Sequence, residues 1–285
     1  MATAIALKVE PLTSSVGALI SGVDITRTLV PDEVSAIRKA LLDHGVVFFE
    51  DQDLSNEAMD RFVRNFGEPI PEPFGDVAMM AKADPVGQSD MSKTRRTTAV
   101  WHHDTTFVPG PPGLTALRAV QLPPVGGDTL WASMYAAYDA LSEPIQRLVD
   151  GLHGVHSIMP VLARFDQSGN AIEQRGSGAQ MVGGENVHPA VLVHPETGRK
   201  ALYVNEGWTI RLVELDPFES TRILQMLFEH VKSPMFNIRW KWKPNDVALW
   251  DNRSVQHFAV PDYEGPRVMQ RVVMAGDPPQ GPLAI

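Results

Sequence analysis

One short segment of the chain, Trp101-His102-His103-Asp104-Thr105-Thr106-Phe107, puts a histidine and a carboxylate two residues apart. In extended backbone, residues i and i+2 point to the same side. His102 and Asp104 can therefore face one ion while His103 points away. A second imidazole is available far along the chain at His257, which follows Trp250-Asp-Asn-Arg-Ser-Val-Gln at the end of a strong strand signal. Two histidines and one carboxylate form the donor set of non-haem Fe(II) oxygenases, and they leave one face of the metal open. Taken alone, the H-x-D pattern is more often a hydrogen-bonded core histidine beside a buried tryptophan.

Arg267 and Arg271 lie four residues apart in Arg267-Val-Met-Gln-Arg271-Val-Val-Met. Positions i and i+4 of a strand share a face, so both guanidinium groups point to one side of an otherwise apolar strand. Such groups need anionic partners, because an unpaired buried charge is costly. The planar fork of arginine suits a carboxylate or sulfonate. Pairing with acids of the same chain is the alternative.

These residues must be held by a scaffold. The chain has 285 residues, with 23 Pro and 22 Gly distributed throughout, a pattern of many turns and short strands. A strand is expected at Ile5–Val9. A helix is expected from Pro31, with acids in its first turn, Val34, Ile37 and Leu41 on one face and Gly45 as its stop. Val46–Phe49 reads as a buried strand. A second helix near Asn56–Asn65 has Asp53 and Ser55 as candidate caps. Residues 69–100 read as irregular and include the basic cluster Lys93, Arg95 and Arg96. They are a candidate active-site lid or a surface loop. From Leu114 onward strands dominate. They are interrupted by a helix over Met134–Leu152, broken at Pro144, and by another starting at Asp216-Pro217. The expected fold is mainly β with inserted helices, an α+β sandwich or jelly roll in one domain spanning 1–285.

No cysteine is present, which excludes disulfides, thiolate nucleophiles, and cysteine-ligated zinc and iron–sulfur clusters. With 25 Lys+Arg against 34 Asp+Glu the net charge is −9, a poor match to nucleic acid. No apolar run approaches a membrane span, and the N-terminal residues do not read as a signal peptide. A cytoplasmic protein is expected. The other histidines read as structural; His44 and His230 fall near helix C-termini, where the dipole favours a cation.

Six ordered blocks extend the local signals. They are Gly17–Asp24, Trp101–Phe107, Gly126-Gly-Asp-Thr-Leu-Trp131, His194–Lys200, Val204–Thr209, and Trp240–Asp246 continuing through Trp250–Arg253 to His257 and Arg271. With them the sequence resembles the TauD/TfdA family of Fe(II)- and 2-oxoglutarate-dependent dioxygenases over nearly its whole length. The resemblance implies a double-stranded β-helix (clavaminate synthase-like), with His102, Asp104 and His257 as iron ligands. It implies Thr129 and Arg267 as contacts of 2-oxoglutarate, Arg271 as the holder of the substrate's acidic group, and Phe107 and Trp208 as pocket walls. It implies Fe(II), 2-oxoglutarate and O2 as cofactor and cosubstrates, a small anionic substrate, and a homo-oligomer (dimer or tetramer). An Asp at 104, where related halogenases carry a small residue, implies hydroxylation.

Taurine enzymes carry a histidine after the Phe-Gly-Glu element. Here Phe66-Gly67-Glu68 runs into Pro69-Ile-Pro-Glu-Pro73 with no histidine before His102. That departure widens the expected substrates to other sulfonates, alkyl sulfates and aryloxy acids. Two rival readings use the same donors: a cupin-like metal hydrolase or isomerase, which has no need of Arg267 or Thr129, and a non-catalytic binding protein.

Overall fold

The structure is a computed structural model, and it describes residues 7–71, the backbone of 88–90, and residues 99–160, 163 and 184–283. Strands β1 (Lys8–Pro11) and β2 (Ala18–Ser21) form a hairpin ahead of helix α1 (Pro31–His44), strand β3 (Val46–Phe49) and helix α2 (Asn56–Val63). Two short strands follow, β4 (Pro69–Ile70) and β5 (Gln88–Asp90). Then come β6 (Leu114–Gln121), β7 (Thr129–Ser133), α3 (Met134–Asp139), α4 (Glu143–Asp150) and β8 (His153–His156). After them lie β9 (Asn186–Pro189), β10 (Val191–Val193), β11 (Lys200–Leu202), β12 (Thr209–Leu212) and α5 (Pro217–Val231). The chain closes with β13 (Asn237–Trp240), β14 (Val247–Asp251), β15 (Val255–Ala259) and β16 (Val268–Met274).

Local chemistry accounts for the helices. In α1, Pro31 opens the first turn, the Glu33 carboxylate accepts from the Val30 N–H at 3.0 Å, and Gly45 ends the helix at φ 74°. The cap of α2 is Ser55, whose hydroxyl accepts from Ala58 N–H at 3.2 Å. Asp216 and Glu219 make a capping box for α5, with Pro217 in its first turn. The expected helix over Met134–Leu152 is two helices, because Ser142 and Pro144 start a new one.

The main sheet has eight strands, ordered β1-β2-β3-β14-β6-β16-β4, with β5 also pairing with β16. A second sheet is ordered β13-β7-β15. Alternation along the strands separates the layers. Val47, Phe49, Val247, Leu249, Val272 and Met274 face α1 and α2, in a core with Ile37, Leu41, Met59 and Phe62. The opposite face, with Phe48, Ala248, Trp250 and Met269, packs on Trp131 and Trp242 between the two sheets. Behind the second sheet a third core joins Ala132 and Phe236 to Tyr135 and Tyr138 of α3 and to Leu224 and Leu227 of α5. The order is helices, sheet, sheet, helices, and the chain is mostly sheet. Among the described residues no helix is long and apolar enough to cross a membrane.

Several expectations change. Of the strand expected at Ile5–Val9, Lys8 and Val9 lie in β1, Leu7 precedes it, and Ile5 and Ala6 lie outside the described residues. His257 is not at the end of the strand that contains Trp250. That strand stops at Asp251, where Ser254 N–H bonds back to the Asp251 carbonyl at 3.1 Å, and His257 lies in the middle of β15. The reading of 69–100 as irregular fails at β4 and β5, which both pair with β16. The rest of the lid call, with Lys93, Arg95 and Arg96, lies outside the described residues. His44 does end α1, but burial lowers its pKa, against the cation expected there.

Candidate metal centre

Backbone pairing brings the two distant histidines together. His102 N–H donates to His257 O at 3.1 Å, and His257 N–H donates to His102 O at 2.9 Å, an antiparallel bridge outside the named strands. Residues directly opposite in such a pair project to the same side, and the imidazole centroids are 4.2 Å apart. The chain then turns at Thr105, which has φ 44°. Asp104, two residues after His102, presents its carboxylate to the two rings. Ligand atoms of His102, Asp104 and His257 all lie within 4.8 Å of one another, the single such group among the described residues.

The hydrogen bonds around these atoms decide what the group can do. His102 Nδ1 lies 2.7 Å from the Val100 carbonyl, which can only accept, so the ring proton sits on Nδ1 and Nε2 keeps its lone pair. That Nε2 is 4.0 Å from Asp104 Oδ1, and His257 Nε2 is 3.6 Å from the same oxygen. Both separations are too long for a hydrogen bond and suit donors arranged about a common ion. The second carboxylate oxygen, Oδ2, is held at 2.7 Å by the Thr115 hydroxyl. Arg271 Nη2 also reaches Asp104 Oδ1, at 2.5 Å. Burial pushes the Asp104 carboxyl up, but Arg271, His257, His102 and the Thr115 hydroxyl outweigh it and hold it well below the usual carboxylate range. Burial, with His102 nearby, pushes His257 well below its usual value, so it stays neutral. A neutral His257, a His102 whose Nδ1 proton is engaged and an ionised carboxylate match the protonation states a divalent metal requires. The residues fit such an ion.

His103 points away, as the alternation requires. It is fully buried, its ring lies 4.7 Å from that of Tyr203, and burial pushes its pKa down to about 3. Trp208 stands edge-on to His102 at 6.2 Å and donates from its indole to His103 O at 2.7 Å. Phe107 packs 4.9 Å from Trp208 and is fully buried. The two rings thus adjoin the centre beside His102.

The second pair of polar residues also meets. Arg267 donates from Nε to Gly127 O at 2.9 Å and from Nη2 to Thr129 Oγ1 at 3.3 Å. Thr129 Oγ1 accepts in addition from the Trp242 indole at 3.0 Å. With both lone pairs engaged, the Thr129 hydroxyl proton is left to donate to an acceptor. Gly127 has φ 77°, and a Cβ there would stand 3.2 Å from Arg267 Cδ, so the glycine lets the arginine lie flat against the turn. Met269 and Arg271 share the inner face of β16, Met269 joining the tryptophan cluster, while Val272 and Met274 face the helices; Arg267 stands just before the strand begins. Arg271, expected to face an anion brought from outside, rests on Asp104.

Sequence reasoning missed three contributors. Thr115 lies on β6 at the register position opposite Trp250 and reaches Asp104 from there. Gly207 packs so close that a Cβ would be 2.7 Å from His102 Cβ. Asn252 accepts from the Asp104 N–H at 2.7 Å. Asn252 and Gly207 stand inside conspicuous sequence blocks, but nothing local signals their partners; the Asn252–Asp104 contact spans 148 residues.

The chain is 36% identical over 282 residues to an alpha-ketoglutarate-dependent sulfate ester dioxygenase of Pseudomonas putida, covering 98% of this chain and 92% of that protein. It is 35% identical to an alkylsulfatase of Acinetobacter baylyi, over 95% of this chain and 86% of that one. The solved structure of a taurine dioxygenase from Burkholderia xenovorans superposes with a TM-score of 0.81 at 37% identity, covering 97% of this chain and 93% of that one. The family described as "Taurine catabolism dioxygenase TauD, TfdA family" matches residues 8–273, and the chain belongs to it.

Proposed function

We propose that the chain is an Fe(II)- and 2-oxoglutarate-dependent dioxygenase that hydroxylates a small acidic organic substrate, with sulfate esters and sulfonates as the leading class and aryloxy acids within reach. The observation that carries the proposal is the convergence of His102 Nε2, Asp104 Oδ1 and His257 Nε2 within 4.8 Å of one another. Family membership and the relatives named for sulfate ester chemistry support it. The two facing sheets, with the centre between them and the loops, support a double-stranded β-helix working as one domain.

In this reading His102, Asp104 and His257 hold Fe(II), and Thr129 and Arg267 hold the distal carboxylate of 2-oxoglutarate. The bound iron and 2-oxoglutarate supply oxygen activation, with succinate and CO2 as the cosubstrate's products. The chain's own residues do the placing. Arg267 presents its guanidinium beside the Thr129 hydroxyl, so a carboxylate there receives a charged donor and a neutral one. Arg271, on the inner face of β16, holds the anionic end of the substrate. Phe107 and Trp208 wall the substrate and exclude water near His102. Where the hydroxylated carbon bears a sulfate ester, the product collapses to an aldehyde or ketone and releases sulfate.

The test is a panel of alkyl sulfates, sulfonates including taurine, aryloxy acids and amino acids. Each is assayed for substrate-dependent succinate with Fe(II), 2-oxoglutarate and air. Alkyl sulfates are expected to stimulate succinate formation and release sulfate. No stimulation by any acidic compound overturns the proposal.

A further inference from the structure

The three candidate ligands come from two segments, His102 and Asp104 from one and His257 from the other, joined by the His102–His257 bridge. Thr115 and Arg271 hold the Asp104 carboxylate, and a further side chain holds its backbone. Asn252 is the first residue after β14, in the tight turn that leads into β15, and it is fully buried. Its carboxamide oxygen accepts from Asp104 N–H at 2.7 Å. Its amide nitrogen donates to Asp104 O at 3.2 Å and to Pro112 O at 2.9 Å. Its own backbone N–H donates to Gly113 O at 2.9 Å. One side chain therefore grips both backbone polar groups of Asp104 and anchors them to the 112–113 segment.

The grip sits where the backbone most needs it. Thr105, next in the chain, has φ 44°. A β-branched residue in the left-handed region is strained and persists only where surrounding bonds over-determine it. Asn252 stands in the short turn that joins β14 to β15, five residues before His257, so fixing the Asp104 backbone to Asn252 fixes it near the start of the strand that carries His257. Through the backbone bridge that strand is paired with His102 as well.

We infer that Asn252 is a positioning residue of the metal centre: its carboxamide locks the Asp104 backbone against the β14–β15 turn and so sets where Asp104 stands relative to the two histidines. The inference rests on the reading of His102, Asp104 and His257 as a metal site. Residues that orient ligands without touching the metal are worth about 10- to 100-fold in affinity.

The experiment measures Co(II) and anaerobic Fe(II) binding to the full-length protein, with the Co(II) absorption spectrum as a geometric readout. It compares wild type with Asn252→Ala and Asn252→Ser, below the melting temperature of each. Asn252→Ala is expected to bind Co(II) about 10- to 100-fold more weakly and with an altered spectrum. Asn252→Ser keeps a short acceptor and is expected to fall between wild type and Asn252→Ala; it carries the test if Asn252→Ala does not fold. A variant that melts lower but binds Co(II) with wild-type affinity and spectrum overturns the inference, because Asn252 would then only satisfy buried backbone. If the wild type itself takes up neither ion, the reading of the centre falls, and this inference falls with it.

Discussion

Asp104 and Asp251 are two buried aspartates built from the same parts, each set between histidine and arginine. Around Asp251 every group is closed. His194 Nε2 lies 3.0 Å from Oδ2, Arg253 Nη2 lies 2.6 Å from the same atom, and Oδ1 accepts from the Arg253 backbone and Nε, both at 2.9 Å. His194 Nδ1 accepts from the backbone N–H groups of Glu196 and Thr197, both at 3.2 Å, so its proton lies on Nε2 and points into the aspartate. At Asp104 the tautomer is reversed. His102 gives its Nδ1 proton to a carbonyl and turns its Nε2 toward an oxygen 4.0 Å away. The first arrangement is a finished ion pair between histidine, arginine and aspartate that holds a turn. In the second, arginine and threonine hold the carboxylate while both imidazoles stand beyond hydrogen-bond distance of it. Residue types do not separate the two sites; the partner of the other ring nitrogen does.

Replacing each aspartate by alanine tests that contrast most severely. Asp104→Ala is expected to abolish succinate formation and to lower Co(II) affinity by more than about 100-fold, beyond the loss expected from an indirect contact. The metal-free melt should change little by comparison. Asp251→Ala leaves Arg253 and His194 buried without their carboxylate and is expected to cost about 3–5 kcal/mol in denaturant unfolding. Equal destabilisation by the two variants would break the comparison.

Arg267→Ala probes the position just before β16, away from Asp104. It is expected to lower kcat/KM for 2-oxoglutarate on the order of 100-fold, the usual cost of removing one partner of a buried charged contact. The KM for the acidic substrate should hardly move, as steady-state kinetics varying each in turn will show. Thr115→Val removes the hydroxyl on Asp104 Oδ2 and is expected to weaken Co(II) binding by about tenfold, with Asp251 untouched. Isothermal titration measures the change.

The smallest effect concerns acid. Burial pushes the Asp251 carboxyl up, but Arg253 and His194 outweigh it and hold it well below the usual range. The folded-state pKa lies below the unfolded value of about 3.9. The unfolded chain therefore takes the proton first, and this stabilisation is complete at neutral pH and lost as pH falls through 4 and below. Between pH 5 and 3 the loss is about 1 kcal/mol. Denaturant melts at both pH values should show that increment in wild type and lack it in Asp251→Asn.

Much of the scaffold was legible. Pro31 with Glu33 and Gly45 bracketed α1, Asp216-Pro217 opened α5, and Val46–Phe49 matched β3, because caps, prolines and short apolar runs act locally. Strand β15 was not separated from β14, since the intervening turn carries neither Gly nor Pro and depends on side-chain bonds from Asp251 and Ser254. For Arg271 the sequence left two partners open, an incoming anion and an acid of the same chain, and the structure places Asp104 against it. Its strand neighbours could be counted, but the approach of Asp104 from another segment could not.

The sequence by itself determined the donor types: no cysteine, a His-x-Asp pair, a distant histidine, two arginines four residues apart, and the family they belong to. Those are properties of composition, spacing and ordered blocks. Tertiary structure decided how each histidine is oriented, which aspartate stands in a closed ion pair, and what holds Asp104 in place. The physical reason is that the bonds of Asn252 and Thr115 to Asp104 and of His194 to Asp251 join residues far apart in sequence, and even the local Val100–His102 bond is made in a segment pinned to a distant strand. The Val100 carbonyl acts on the His102 proton only because that segment is pinned to β15. Asn252 reaches Asp104 only because the β14–β15 turn is packed against the 112–113 segment.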